Sequence, residues 1–132
     1  MHDTVKNYLN IWEKLNINNV QEIILYLDEN FYFSDPFKKI NNKKDFYIYL
    51  TNFLKKGPKV KFKVLSLMNK KNIFFIKWSC NYSGKFQISF EGISEITVRN
   101  NLILEHKDYW DVASNIYTKL PFLGPIFRLF HK

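Results

Sequence analysis

Few residues in this 132-residue sequence are equipped for chemistry, and the first lies in FYFSDPF, residues 31–37. If that segment is a strand, side chains alternate faces, so Phe31, Phe33, Asp35 and Phe37 share one side. Asp35 then has two readings. It stands in the wall of a pocket, where desolvation would raise its pKa towards the working range of a general base. Or it opens the turn that Pro36 demands, with its side chain capping its own backbone. His106, the only histidine away from the termini, reads either as a proton shuttle or partner for Asp35, or as a hydrogen-bonded core residue. Ser94 would complete an Asp–His–Ser set, but chain order places none of the three within reach of another. Asp108 reads as a cavity group, or, with Asp111 on the other side of Tyr109-Trp110, as a cap of a helix starting near Val112. One interior histidine and scattered carboxylates offer no metal-ligand spacing, and no metal or other cofactor is expected. The single cysteine, Cys80 in FFIKWSCNY, excludes an intrachain disulfide and reads as a buried thiol.

The elements that must position these groups follow from periodicity. Val5, Tyr8, Leu9, Trp12 and Leu15 make a helical stripe, with Asp3 its expected cap. Asn19 and Glu22 suggest a capping box before a second stripe, Val20, Ile23, Ile24 and Leu27. FYFSDPF is expected at a sheet edge, because Pro36 cannot donate to a ladder. A third helix is expected near 43–56, with Phe46, Tyr49, Leu50, Phe53 and Leu54 on one face, stopped by Gly57-Pro58.

Thereafter the period is two. Val60, Phe62 and Val64 give way to Leu65 and Leu67, a phase change that implies a bulge. Phe74, Ile76, Trp78, Cys80 and Tyr82 share a face, and Ser83-Gly84-Lys85 turns the chain. Phe86, Ile88, Phe90, Gly92, Ser94, Ile96 and Val98 share the next face, and Arg99-Asn100-Asn101 turns it again. Leu102, Leu104, His106, Asp108 and Trp110 are expected on one face of the last strand. Helices followed by a long meander mean one α+β domain over residues 1–132, its sheet curved over the N-terminal helices.

Composition sets the outer limits. Aromatic residues make up 18% of the chain, more than a compact core of this size needs, which suggests a lined cavity, a subunit interface, or both. The charge is +8, from 18 Lys and two Arg against 12 acids. Arginine scarcity and scattered lysine pairs argue for a solvated surface, so no nucleic-acid partner is expected. MHDTVKNYLN lacks a signal-peptide apolar region, and no window approaches the roughly 18 apolar residues of a membrane span, so the expected location is the cytoplasm.

Three stretches carry a family resemblance: SDPF at 34–37, FEGIS at 90–94, and HKDYWD at 106–111 followed by IYTKLPFLGPIFRLF. The chain resembles the nuclear transport factor 2-like superfamily, which includes SnoaL-like polyketide cyclases and ketosteroid isomerase. Its last stretch is similar to the HRDYWD…LYEKLP tail of a bacterial subgroup without assigned activity. The resemblance implies a cone, a bent mixed sheet wrapped on a long helix around a hydrophobic cavity. It also implies that Asp35, in an Asp-Pro-Phe motif matching that of ketosteroid isomerase, is a candidate general base. The isomerase's oxyanion donors do not carry over. The protonated acid falls at or near Ser94, and the tyrosine falls near Ile11 or Trp12, with Tyr8 one turn away. Steroid isomerisation is therefore not expected. Nor is the Asp-Arg-Asp chemistry of limonene epoxide hydrolase, since the only arginines are Arg99, in an expected turn, and Arg128.

The expected function is binding of a small hydrophobic molecule in the cone, with isomerase-, cyclase- or hydrolase-type chemistry by Asp35 and His106. The alternative is a binding or interaction module without chemistry. The expected ligand-binding residues are Trp12, Phe33, Phe53, Trp78, Tyr82, Phe90, Ser94, Asp108 and Trp110. A homodimer through the sheet face is expected. The apolar tail, 120–132, is expected to pack on the domain or its dimer mate, with contact to an anionic membrane surface as the alternative.

Overall fold

The computed structural model describes residues 1–57, 59–84 and 87–111; the tail 120–132, Pro58, Lys85-Phe86 and the helix expected from Val112 lie outside them. The elements run α1 (His2–Glu13), α2 (Val20–Ile24), β1 (Leu27–Ser34), β2 (Lys39–Ile40), α3 (Lys43–Lys55), β3 (Lys59–Lys70), β4 (Ile73–Ser83), β5 (Gln87–Arg99) and β6 (Leu102–Tyr109). The fold is α+β. Six strands form one curved sheet in the order β2-β1-β6-β5-β4-β3. All pairs are antiparallel except β1 with β6, so the sheet is mixed.

α1 and α3 bury most of the stripe their spacing marks out, whereas α2 ends at Ile24 and buries only Val20 and Ile23 of its expected stripe, Leu27 being the first residue of β1. Val5, Tyr8 and Leu9 of α1, and Phe46, Tyr49 and Leu50 of α3, are buried against the concave face. There they meet Phe31 of β1, Phe74 and Ile76 of β4, Ile96 of β5 and Ile103 of β6 in one core. Asn42 caps α3, accepting from Asp45 N at 2.8 Å while its own amide donates to Asp45 Oδ2 at 2.9 Å. Gly57 closes that helix in the left-handed region, with φ +83°. Asn100 and Asn101, with φ of 53° and 62°, make the two-residue turn between β5 and β6.

Four expectations are corrected. Asp3 lies in the first turn of α1 and does not cap it; Met1 holds that position. Asn19 and Glu22 form no capping box, because the Asn19 side chain turns back to Asn16 N and Lys14 O and stitches the loop between the helices. The strand containing Phe31 and Phe33 is not an edge. The turn at Pro36 returns the chain as β2, which covers the outer side of β1, so the proline's missing donor falls outside the ladder. In β6, Leu102 and Leu104 do not share the core face with His106. A bulge between Thr97 and Val98 pairing resets the phase, and Ile103 is the residue fully buried. The bulge expected at Leu65 is present, as a register shift between Val64 and Ser66. Glu13, at the end of α1, accepts from Val64 N at 2.9 Å and ties the helix to that bend.

Candidate functional site

Asp35 follows β1 directly and satisfies both of its readings. Its Oδ1 accepts from Phe37 N at 2.8 Å and Lys38 N at 2.7 Å, which holds the turn into β2. Its Oδ2 accepts from the Tyr49 hydroxyl at 3.3 Å, and the residue lines a cavity. Burial raises the Asp35 pKa, the two backbone N–H groups oppose the rise, and the charge of Asp108 adds to it. Burial likewise raises the pKa of Tyr49, and the neighbouring Asp35 charge reinforces that shift.

The other expected polar residues form a chain of hydrogen bonds under α1. Trp78 Nε1 can only donate, and it donates to Ser94 Oγ at 2.8 Å. Ser94 therefore gives its own proton to Asp108 Oδ1 in a very short contact. His106 Nε2 lies 2.7 Å from the same oxygen, and His106 Nδ1 lies 2.7 Å from the Tyr8 hydroxyl. With a proton on His106 Nε2, Asp108 accepts twice on Oδ1, and Nδ1 is free to accept from Tyr8. The Ser94–His106 separation is 3.4 Å, but the serine proton is committed to Asp108, so the three do not form a nucleophilic triad. His106 pairs with Tyr8 and Asp108 and not with Asp35.

Gly92 makes this chain possible. It stands opposite Trp78 in the β4–β5 register, and a Cβ there would lie 2.5 Å from the indole ring. Only a glycine lets the ring cross β5 to reach Ser94.

Two chambers open on these groups. The larger, of about 80 Å³, is walled by Trp12, Phe33, Phe53, Trp78, Tyr82, Phe90 and Trp110, with Asp35, Asp108 and Tyr49 as its polar members. That volume exceeds the room one water needs. Ser94 and His106 face a smaller chamber of about 40 Å³ behind Trp12, Phe62 and Trp78, and Asp108 borders both. Cys80 also lines the larger chamber, but burial pushes its thiol up to about 12 and leaves it inert. Among the described residues no group of three metal-ligating side chains occurs. Arg99 pairs with buried Asp28, its Nη2 at 2.8 Å from Oδ1, and does not line either chamber.

Tyr49 was legible only as an apolar-stripe residue, and Tyr8 as one that also lies a turn away from the position of the isomerase's tyrosine. The signal for their second role is general: a buried tyrosine hydroxyl needs a partner. Trp12 Nε1 leans towards the Tyr8 hydroxyl, close enough to oppose the pKa rise caused by burial, yet makes no hydrogen bond of normal geometry.

No protein-family model and no curated protein matches the sequence. Solved structures do match the fold. A protein of unknown function from Cytophaga hutchinsonii with the nuclear transport factor 2-like fold shares 17% identity over 86% of this chain and 91% of its own, with a TM-score of 0.66. An epoxide hydrolase of limonene-epoxide-hydrolase-like type from M. tuberculosis shares 14% over 88% and 85%, TM-score 0.73. A hypothetical protein with a ketosteroid isomerase-like fold from Catenulispora acidiphila, in complex with trimethylamine, shares 11% over 86% and 89%, TM-score 0.73. At these identities the likeness establishes the cone fold of this group and nothing finer.

Proposed function

We propose that this chain of nuclear transport factor 2-like fold binds a small, largely apolar molecule in its cone and moves a proton on it through Asp35. The observation that carries the reading is a carboxylate in an aromatic wall, with one oxygen anchored by the turn and the other bonded only by the Tyr49 hydroxyl. Anchoring holds the group in place, and burial makes it a better base than an exposed aspartate. Ligand binding and enzyme chemistry are both found on this fold, in an epoxide hydrolase-like protein among others. The trimethylamine held by one neighbour indicates the kind of small molecule that such a protein can hold. We further take the convex sheet face as the surface for a second copy of the chain. Met68 and Phe75 pair there across β3–β4, Ile93 and Tyr109 pair across β5–β6, and all four are exposed.

The test is hydrogen exchange. Incubation of the protein in D2O with a panel of apolar ketones, followed by proton NMR, should show α-proton exchange that Asp35→Asn slows by roughly 100-fold or more. Equal exchange in both proteins would remove Asp35 as the base. One observation favours a non-catalytic carrier instead: Ser94 and Tyr8 spend their protons inside the buried chain, so neither is left to stabilise an oxyanion. Binding without exchange by the wild type is the result that carrier predicts.

A further inference from the structure

The chain carries a net charge of +8, yet the larger chamber reverses that sign. Its described wall contains two carboxylates, Asp35 and Asp108, and no Lys, Arg or His. The smaller chamber behind it adds Glu13, and the histidine there is committed to Tyr8 and Asp108. Two carboxylates drawn out of water beside one another are unfavourable unless a positive charge joins them. Hydrogen bonding leaves room for one. Asp108 takes both of its bonds on Oδ1 and none on Oδ2, and Asp35 Oδ2 takes only the long one from Tyr49.

Aromatic rings supply the rest of the wall. Three tryptophans, two tyrosines and four phenylalanines surround the space, and ring faces attract cations through their quadrupoles, tryptophan most strongly. One wall ring already does so from elsewhere: Lys38 Nζ rests 5.6 Å from the Tyr49 centroid, and Lys38 is not part of the cavity lining. A neutral apolar ligand would bring no counter-charge to either carboxylate's open oxygen. A primary ammonium is strongly hydrated and offers little apolar surface to the rings. Alkyl groups on the nitrogen spread the charge, lower the hydration cost and supply apolar surface.

We propose that the cavity takes an organic cation, a tertiary or quaternary ammonium with small alkyl groups, held by aromatic faces with Asp35 and Asp108 as counter-charges. This rests on the reading that the cavity binds a small molecule, and names its class.

The experiment uses the full chain and its only three tryptophans, Trp12, Trp78 and Trp110, all of which line the cavity. Choline and 3,3-dimethylbutan-1-ol share one shape and differ by N⁺ against C, so titrating both in salt-matched buffer isolates the charge. Quenching of tryptophan emission should report binding of choline at least about tenfold tighter than the neutral alcohol. Asp35→Asn with Asp108→Asn should bring the two affinities together. Equal or tighter binding of the alcohol by the wild type would overturn the cation while leaving a cavity that binds small molecules. Binding of neither probe would overturn both. A choline preference that survives in the double variant would show that these carboxylates are not the counter-charges.

Discussion

The two oxygens of Asp35 answer to different forces, and substitutions can separate them. Asparagine keeps an acceptor for Phe37 N and Lys38 N and removes the buried charge, whereas alanine leaves both N–H groups without their partner. Asp35→Ala should therefore cost about 0.5–2 kcal/mol, as other lost backbone caps do. The pH dependence has a definite sign. Because the folded-state pKa is raised, the native protein binds the proton more readily than the unfolded chain. Stability is then highest below the ordinary carboxylate pKa and is lost as pH rises through the raised value. Asp35→Asn should gain on the wild type across that window and hold its advantage above it. Urea melts of the three proteins between pH 3 and pH 8 measure this; a difference independent of pH would contradict a buried, uncompensated carboxylate. Both readings of Asp35 were open in FYFSDPF. Neither alternation nor turn chemistry could say that they hold together, because that depends on Tyr49 reaching across from α3.

At the scale of elements, the register between β4 and β5 decides the site. Pairing Trp78 with Gly92 lays the indole across β5 and gives Ser94 its donor. Gly92→Ala should push the ring out, break that bond and cost roughly 1–3 kcal/mol, the usual range for overpacking. The near-ultraviolet circular dichroism of tryptophan should change with it; an unaltered spectrum and melting curve would mean that the ring does not lie where the glycine permits. Element phases were legible where apolar residues alternate cleanly, as from Phe74 to Tyr82. The Leu65 bulge was legible too, because the apolar phase visibly changes there. The β6 bulge was not. Leu102, Ile103 and Leu104 are all apolar, so the pattern holds no phase, and pairing with both β1 and β5 selects Ile103 for the core.

For the whole molecule, curvature separates two surfaces of one sheet. The concave face is filled by α1, α3 and the chambers. The convex face exposes Met68, Phe75, Ile93 and Tyr109 among the ion pairs Lys77–Glu91 and Lys107–Glu105. Mixed charges around apolar pairs suit an isologous contact, in which each patch meets its own copy. Light scattering during gel filtration should give twice the 16.0 kDa chain mass, and Phe75→Glu with Tyr109→Glu should give one chain mass with unchanged far-ultraviolet circular dichroism. A monomeric wild type would remove the second copy from the proposal. Among the described residues no helix is long and apolar enough to cross a membrane.

Local order came from the sequence alone: helices before a meander, the faces of most strands, the turn at Asn100-Asn101, and an aromatic set with a few polar members. These are consequences of period, and a period of 3.6 or 2 is written in neighbouring residues. Tertiary structure decided which of those polar groups meet. Tyr8 and His106 lie 98 positions apart, and their contact exists only because α1 crosses the sheet where β6 passes beneath it. Tertiary structure also divided the candidates, placing Asp35 and Asp108 on the larger chamber and Ser94 and His106 behind it. Alternation determines the side of a sheet on which a residue stands. The depth at which it is buried, and the proton it holds there, are set by whatever closes over that side.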